Sequence, residues 1–350
     1  MNTKHGFDTY TDWRNKRGKD PFWHPKFTAA YRRLLACLDY DISDRVTAHI
    51  GPSRVGKSLL NELLAAQYVC RPVESPNLIR PFVLLKLFTR SRENRFVAKS
   101  FWINALHEVK FPLAVSGMLQ EQRDRYTEDH LVDLFGRALT QNRTRWLLID
   151  EAQDILWAPK KLEGAARFLN VLKGFAEEFS ISLILSGGPP LLQAIDHAPH
   201  LSGRVARIFH DRYRQESDED LNAFRVLFQK ISEMLPISKE VHTARVYAEL
   251  LEASRGVIGL LLNILDEARN EAKAQGARAI AVQHLQHGIK AHPISAEMDA
   301  EIGLGDQYYR GETDHAIERN IASEGSPKNS AGISRKPFQE KPKRRKRGEL

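Results

Sequence analysis

The residues with the most specific chemistry run from 51 to 58, where the sequence reads GPSRVGKS and matches G-x-x-x-x-G-K-[ST] at every fixed position. Glycines let the backbone curl so that its N–H groups point at phosphate oxygens, and the next helix adds a positive dipole. In this pattern Lys57 neutralises the β- and γ-phosphates and Ser58 ligates Mg²⁺. The flanking strand and helix patterns disfavour a chance glycine-rich turn. The segment predicts a site for ATP and Mg²⁺ formed by Gly51, Pro52, Ser53, Arg54, Val55, Gly56, Lys57, Ser58 and Leu59.

Two adjacent acids end a strongly apolar stretch, WLLIDEAQ, at residues 146–153. Asp150 is placed to hold Mg²⁺ through water, and Glu151 is placed to polarise the attacking water as a general base. The alternative is an ordinary strand that ends in solvated acids, but the complete phosphate loop in the same chain favours catalysis. The pair therefore predicts an ATPase that forms ADP and phosphate.

The elements that must position these residues alternate between strands and helices. Apolar runs predict strands at 45–50, 81–87, 146–150 and 181–185. Helix-spaced apolar residues predict helices at 26–38, 58–68 and 131–139, and then at 221–231, 244–253, 259–274 and 282–290. The alternating part predicts an α/β fold with a parallel sheet covered on both faces, and the purely helical part predicts a small lid domain.

Composition divides the chain further. We expect an N-terminal arm at 1–24, a nucleotide-binding α/β domain at 25–216, a helical lid at 217–293 and a mostly disordered tail at 294–350. The net charge is +8, but residues 335–350 alone carry eight Lys and Arg against two Glu. The remainder is nearly balanced, so the charge permits nucleic-acid binding by the folded body without establishing it.

Other composition features exclude several function classes. No apolar run reaches the roughly 20 residues that cross a bilayer, and the first 19 residues are polar rather than signal-like, which predicts a cytoplasmic protein without a membrane partner. Cys37 and Cys70 lie in apolar patterns without a CxxC pair, so packing is expected rather than metal or redox chemistry.

Together these motifs resemble AAA+ ATPases of the initiator-like branch and, more closely, the TnsC/TniB transposition regulators. The resemblance covers about residues 21–293. The phosphate loop and the DEAQ segment carry the AAA+ part, and the finer likeness depends on His24-Pro25, Ile149-Asp-Glu-Ala-Gln153, Ser186-Gly-Gly188 and Ser254-Arg-Gly-Val-Ile-Gly259. In size and basic tail the chain is similar to TnsC of Tn7-like elements that carry CRISPR effectors.

The resemblance implies roles for four further residues. Ser186 takes the sensor 1 place that orients water, although many AAA+ proteins have Asn there, and a turn without catalytic duty is the alternative. Arg204, or secondly Arg207, would reach the γ-phosphate of a neighbouring subunit; a solvated or ion-paired surface arginine is the alternative. Arg255 would be sensor 2, unless its segment only joins helices.

The family also implies a function. Its members form ATP-dependent rings or helical filaments, hexamer- or heptamer-like, on double-stranded DNA in the bacterial cytoplasm. They link a TniQ/TnsD-like target selector to the TnsA/TnsB transposase without cutting DNA themselves. Two alternatives stay open: a helicase loader or replication initiator, which usually adds a winged-helix domain that residues 294–350 are too polar to form, and a nucleotide-bound scaffold, against which Glu151 argues.

DNA contact is predicted from a basic cluster that follows the second strand. Its members are Arg90, Arg92, Arg95 and Lys99, and one cluster per subunit would line the pore of a ring. The alternative is a solvated loop. Three roles stay open for the basic residues 341–347: binding DNA, docking on the transposase or only aiding solubility. The sequence does not distinguish among these roles.

Overall fold

The computed structural model describes residues 22–39, 46–68, 80–87 and 95–311. Cα packing divides the chain into two units, Met1–Tyr309 and Arg310–Leu350. The strands of the sheet are β1 Val46–Ile50, β2 Phe82–Lys86, β3 Trp146–Asp150, β4 Ser182–Gly187 and β5 Val205–Phe209.

Helices surround and follow the sheet. In chain order they are α1 Pro25–Asp39, α2 Lys57–Gln67, α3 Ala98–Glu108, α4 Pro112–Val115, α5 Met118–Glu121, α6 Glu128–Gln141, α7 Lys161–Glu178, α8 Pro190–Asp196, α9 Pro199–Ser202, α10 Asp218–Ser232, α11 Ala244–Ala253, α12 Ile258–Ala274, α13 Val282–Ala291 and α14 Ala296–Arg310. None of the helices in the described ranges has the length and apolarity needed to span a membrane.

All pairings in the sheet are parallel, in the order β2-β3-β4-β1-β5. Ile50 at the end of β1 aligns with Gly187 of β4 and with Phe209 of β5. Lys86 at the end of β2 aligns with Asp150 of β3. Because parallel strands end at one edge, the phosphate loop after β1 and the acids after β3 share that edge.

The predicted parallel sheet is confirmed, with one strand more than the sequence analysis assigned. β5 has the sequence VARIF, in which Arg207 interrupts the apolar run, and all its residues but Ile208 are only partly buried. An edge strand with a charge at its centre lacks the continuous apolar pattern of a buried parallel strand, which is why it was not predicted.

Alternating residues of the strands build a core on each face of the sheet. Leu147 and Ile149 face a cluster that includes Trp102 of α3 and Phe135 of α6. Leu148 of the same strand faces the opposite cluster with helices α1 and α2, against which the half-buried Cys37 also packs. This period of two is what a strand covered on both faces requires. Cys37 therefore packs as predicted, whereas Cys70 lies outside the described residues.

Helices α10 to α13 enclose an apolar cluster of their own. Its largest buried members include Phe224, Phe228, Leu250, Leu261 and Leu265. Polar caps begin two of these helices: the Ser217 hydroxyl accepts the N–H of Asp220, and the Thr243 hydroxyl accepts the N–H of Val246. The predicted helices of the lid are confirmed, while the exact boundary near residue 216 stays a prediction.

The prediction of a mostly disordered tail at 294–350 does not hold for residues 296–310, which form α14. Ile302 and Tyr308 are buried, with 5% and 8% of their surfaces exposed. Ile302 contacts a small apolar cluster with Val55 of the phosphate loop and Val257 of the lid. The segment is polar overall, but its few apolar side chains find partners that a local composition argument does not reveal. Residues 312–350 lie outside the described part.

Candidate nucleotide site

The phosphate loop connects β1 to α2 by a backbone that only certain residues permit. Gly56 has φ 112°, in the left-handed region that favours glycine, and it directly precedes the first residue of α2. At Gly51, a Cβ atom would lie 2.5 Å from the carbonyl oxygen of His210. The two fixed glycines of the motif therefore have separate structural reasons. Gly56 permits the left-handed turn, and Gly51 permits the close backbone approach to His210, the residue after β5.

Lys57 is buried inside this loop. Its Nζ donates to the carbonyl oxygens of Gly51, at 2.7 Å, and Pro52, at 2.9 Å. Burial lowers the pKa of Lys57, and the nearby carboxylates of Glu301, Glu151 and Asp150 oppose that shift in this order of size. The lysine is thus a desolvated cation held beside the loop, as binding of polyphosphate requires.

Asp150 and Ser58 fit the coordination of a magnesium ion. Both line one cavity of about 260 Å³ at the end of β3. Asp150 has 5% of its surface exposed. A carboxylate and a hydroxyl are the hard oxygen donors that Mg²⁺ prefers, and this ion usually keeps waters for its other positions. The donor set is therefore compatible with Mg²⁺.

Glu151 adopts a left-handed backbone, with φ 56° and ψ 35°. Its Oε2 accepts a hydrogen bond of 2.7 Å from Gln153 Nε2. The amide oxygen of Gln153 in turn accepts the N–H of Gly188 at 2.9 Å. At Gly187, a Cβ atom would approach that amide oxygen to 2.5 Å. The two sequence motifs DEAQ and SGG therefore meet through Gln153, a residue to which the sequence analysis gave no role.

A second polar residue missed from the sequence is Asn61 of α2, which is fully buried. Its Nδ2 donates to Asp150 Oδ1 at 3.0 Å and to Ser186 Oγ at 2.8 Å. Its Oδ1 lies 3.2 Å from Nδ1 of His49 in β1. The site thus joins Ser186 to Asp150 through one amide. A lone asparagine within the apolar run LLNELL was the available signal.

Three buried histidines lie under the loop. Burial lowers the pKa of His24 and that of His49 to about 3, helped by Lys26 and Lys57 respectively, and burial also lowers that of His210 well below its usual value. His49 and His210 stack with ring centroids 5.5 Å apart. Nδ1 of His24 lies 3.0 Å from the Tyr213 hydroxyl. Neutral imidazoles therefore support the loop from the side of α1 and β5.

The two candidate arginines of residues 201–209 differ in their surroundings. Arg204 has 72% of its side chain exposed and makes one distant contact, 3.8 Å, with Glu177. Arg207 is paired with Asp196, and its guanidinium lies 5.9 Å from the Tyr308 ring centroid. Arg204 is thus largely exposed, whereas Arg207 is engaged by Asp196.

Arg255 lies where the lid meets the phosphate loop. Gly259 N–H donates to the carbonyl oxygen of Arg54 at 3.1 Å, and a Cβ at position 259 would lie 2.5 Å from that oxygen. Gly256 has φ 68° and sits against the backbone of Tyr213. The spacing SRGVIG is therefore explained by two close backbone approaches. Arg255 itself pairs with Asp299 of α14 at 2.8 Å.

The predicted DNA cluster is only partly described. Arg90 and Arg92 lie outside the described residues, Arg95 is exposed and Lys99 lies in the first turn of α3. Arg123, which the sequence analysis missed, places a further cation at the start of α3. Its Nη2 donates to Ser100 Oγ at 2.7 Å. The basic residues therefore extend over the start of α3.

The family described as bacterial TniB protein matches residues 15–215, more than half of the chain. No curated protein matches the sequence.

Solved structures match over most of the chain. The ORC2 protein of Aeropyrum pernix in its ADPNP-ADP complexes is 14% identical, covering 81% of this chain and 73% of that one, with a TM-score of 0.52. Cdc6p of Pyrobaculum aerophilum is 15% identical over 79% and 70%, with a TM-score of 0.54. The ORC1 protein of Aeropyrum pernix in complex with DNA is 14% identical over 77% and 65%, with a TM-score of 0.54. These likenesses show the fold, which is the AAA+ type predicted from the sequence.

Proposed function

The chain belongs to the TniB family of bacterial proteins, and on that premise we propose that it is an ATPase that regulates DNA transposition. It would oligomerise on double-stranded DNA as a hexamer- or heptamer-like ring or filament and link a TniQ/TnsD-like target selector to the TnsA/TnsB transposase. The single observation that carries the ATPase part is the meeting of phosphate loop, Asp150 and the Gln153-held Glu151 at one sheet edge.

The chemistry follows from the positions of these groups. The loop amides and Lys57 would bind the phosphates, while Ser58 and Asp150 would hold Mg²⁺, which would supply positive charge to the phosphate groups. Glu151 accepts a proton from the attacking water, or orients that water, and Gln153 fixes its carboxylate. Ser186 is linked to Asp150 through the amide of Asn61, which supports a role in positioning.

Hydrolysis in this proposal depends on assembly. Arg204 is exposed and available to a neighbouring subunit's γ-phosphate, where an arginine stabilises the charge of the transition state. Arg207 is the second candidate and is less favoured because Asp196 holds it. Arg255 would contact phosphate from the lid as sensor 2, after leaving Asp299.

DNA contact is proposed for Arg90, Arg92, Arg95 and Lys99. The described part of this cluster is hydrogen-bonded to the segment that follows β3, because the N–H of Phe96 donates to the carbonyl oxygen of Trp157 at 3.1 Å. Trp157 ends the short helix Ala152–Trp157 that begins directly after Glu151. A change at the proposed DNA-binding segment therefore has a short covalent and hydrogen-bonded route to the candidate general base, Glu151.

The test is sedimentation and negative-stain imaging of the purified protein with and without ATP–Mg²⁺ and a plain DNA duplex. Rings or filaments that need both ligands are expected, Lys57→Ala should give neither nucleotide binding nor assembly, and Glu151→Gln should accumulate on DNA with ATP bound. A nucleotide-binding monomer indifferent to DNA contradicts the regulator proposal. Assembly that requires a helicase rather than the transposase would support the initiator-type alternative.

A further inference from the structure

The helix α14 places a carboxylate on the phosphate loop. Glu301 Oε1 accepts the backbone N–H of Ser53 at 2.8 Å and its hydroxyl at 3.0 Å, and Glu301 Oε2 accepts the same hydroxyl at 3.0 Å. The carboxylate also lies against Gly188, where a Cβ would approach Oε1 to 3.0 Å. Glu301 therefore sits between the loop and the end of β4, within the nucleotide site.

Two further acids of α14 fasten the helix to the same region. Asp299 pairs with Arg255 at 2.8 Å. Asp306 pairs with Arg212 and, at 3.0 Å, with Arg214, just beyond the end of β5. Although burial alone would raise the pKa of Asp306, hydrogen bonds and charges from both arginines hold that pKa below its usual range. α14 is thus held by ion pairs at positions before and after Glu301.

The contact with Ser53 has the chemistry of an anion site. Backbone N–H groups of a phosphate loop are arranged to receive anionic oxygens, and a carboxylate oxygen on such an N–H makes the contact that a phosphate oxygen makes. Glu301 is also first among the neighbouring carboxylates that raise the pKa of Lys57 against the lowering effect of burial. A second anion brought to this place meets the Glu301 charge at hydrogen-bonding distance from the same loop groups, where like charges repel.

We propose that α14 is an intramolecular competitor of the nucleotide, in which Glu301 occupies the Ser53 end of the phosphate loop and must leave when a nucleoside triphosphate binds. The inference rests on the proposed nucleotide site. Departure of the helix also separates Asp299 from Arg255, so that one movement frees the loop and the candidate sensor arginine together. Nucleotide occupancy is thereby coupled to release of the segment that leads into the basic tail.

The test compares Glu301→Gln with Glu297→Gln in a Glu151→Gln background that prevents turnover. Both changes remove one negative charge from α14, but Glu297 is exposed and hydrogen-bonds only locally, with Ser295 and its own backbone. We expect Glu301→Gln to bind ATP–Mg²⁺ about 10-fold more tightly in equilibrium titration, a change of about 1.4 kcal/mol. Glu297→Gln should leave the affinity unchanged.

A second measurement follows the helix itself. Hydrogen exchange of the α14 amides should speed up when ATP–Mg²⁺ binds to the protein with Glu301 intact. Glu301→Gln should lower the melting temperature without nucleotide, yet give the larger upward shift when nucleotide is added.

The outcomes separate this inference from the function on which it rests. Nucleotide binding that is equal or weaker in Glu301→Gln, or stronger protection of α14 with ATP, overturns the competitor and leaves the ATP site standing. If neither protein binds ATP, the proposed nucleotide site fails and the competitor fails with it.

Discussion

Gln153 donates a hydrogen bond of 2.7 Å to Glu151 and, through the oxygen of the same amide, accepts one of 2.9 Å from Gly188. The candidate catalytic acid is thereby tied to the end of β4. Glu151 keeps a left-handed backbone without being glycine, which costs on the order of 1 kcal/mol and persists only where neighbours enforce it. The hydrogen bonds of Gln153 are one such constraint, because they join the side chain of Glu151 to the backbone of Gly188.

Replacing Gln153 tests whether this bridge serves turnover. Gln153→Leu removes the amide group while keeping a side chain of similar size. Glu151 can then adopt unproductive rotamers, and we expect kcat for ATP hydrolysis to fall about 10- to 100-fold. Nucleotide affinity should change little, because the hydrogen bonds of the Gln153 amide go to Glu151 and Gly188 rather than to the phosphate loop. Exposed Gln193 provides the matched control as Gln193→Leu. An unchanged kcat would show that Glu151 does not need the bridge.

Asn61 is expected to position the magnesium ligand. In Asn61→Leu, Asp150 and Ser186 both lose a buried hydrogen bond, and we expect the free energy of unfolding to drop by about 1–3 kcal/mol. A less fixed Asp150 should also raise the Mg²⁺ concentration that gives half-maximal turnover. The Mg²⁺ titration is the informative readout, because a merely structural loss would lower stability alone. Asn222→Leu, at an exposed position of α10, controls for the substitution.

Arg204 and Arg207 can be separated by mixing subunits. If Arg204 acts on a neighbour's nucleotide, Arg204→Ala should lower kcat about 1,000-fold while each subunit still binds ATP. Adding Glu151→Gln subunits, which keep Arg204 but not the base, should restore part of the turnover. Arg207→Ala should mainly lower stability, since it leaves the half-buried Asp196 without its ion-pair partner. Full turnover in Arg204→Ala would assign the role to another arginine.

Much of the fold was predictable because its signals are local. The apolar period of β3, the glycines of the phosphate loop and the helix spacing of the lid are each written in a few consecutive residues. The same locality gave Asp150 and Glu151. Local patterns could not predict contacts between distant segments, such as the hydrogen bond between Asn61 and Ser186, which are 125 positions apart. The pairing of Glu301 with Ser53, 248 positions apart, is the extreme case.

The tail illustrates the same limit. Apolar residues become sparse after residue 294, so composition placed residues 296–310 in a mostly disordered tail. Their acids instead meet Arg212, Arg214 and Arg255, which lie far away in the sequence and whose own partners were unknown. Complementary charges on separate segments become visible only when the fold places them side by side.

The buried histidines predict that stability falls in acid. For His49 the folded pKa is about 3 against 6.5 for the free side chain, so below pH 6.5 the unfolded chain binds a proton that the folded chain does not. Stability is therefore present above pH 6.5 and is lost as pH falls towards 3, by about 1.4 kcal/mol per pH unit for each such histidine. His24 and His210 act in the same direction.

The substitution His49→Asn isolates one of these groups. The free energy of unfolding should be measured in urea at pH 7.5 and at pH 5.5. Between these two pH values it should fall by about 1.4 kcal/mol less in His49→Asn than in the parent. Asp154 works in the opposite direction, because burial and nearby Glu151 raise its pKa to about 6, but it is common to both proteins and cancels in the difference. His200→Asn, at an exposed position, should keep the parent slope. Parallel slopes for His49→Asn and the parent would mean that His49 takes up its proton without unfolding, and the neutral histidine support of the phosphate loop would have to be abandoned.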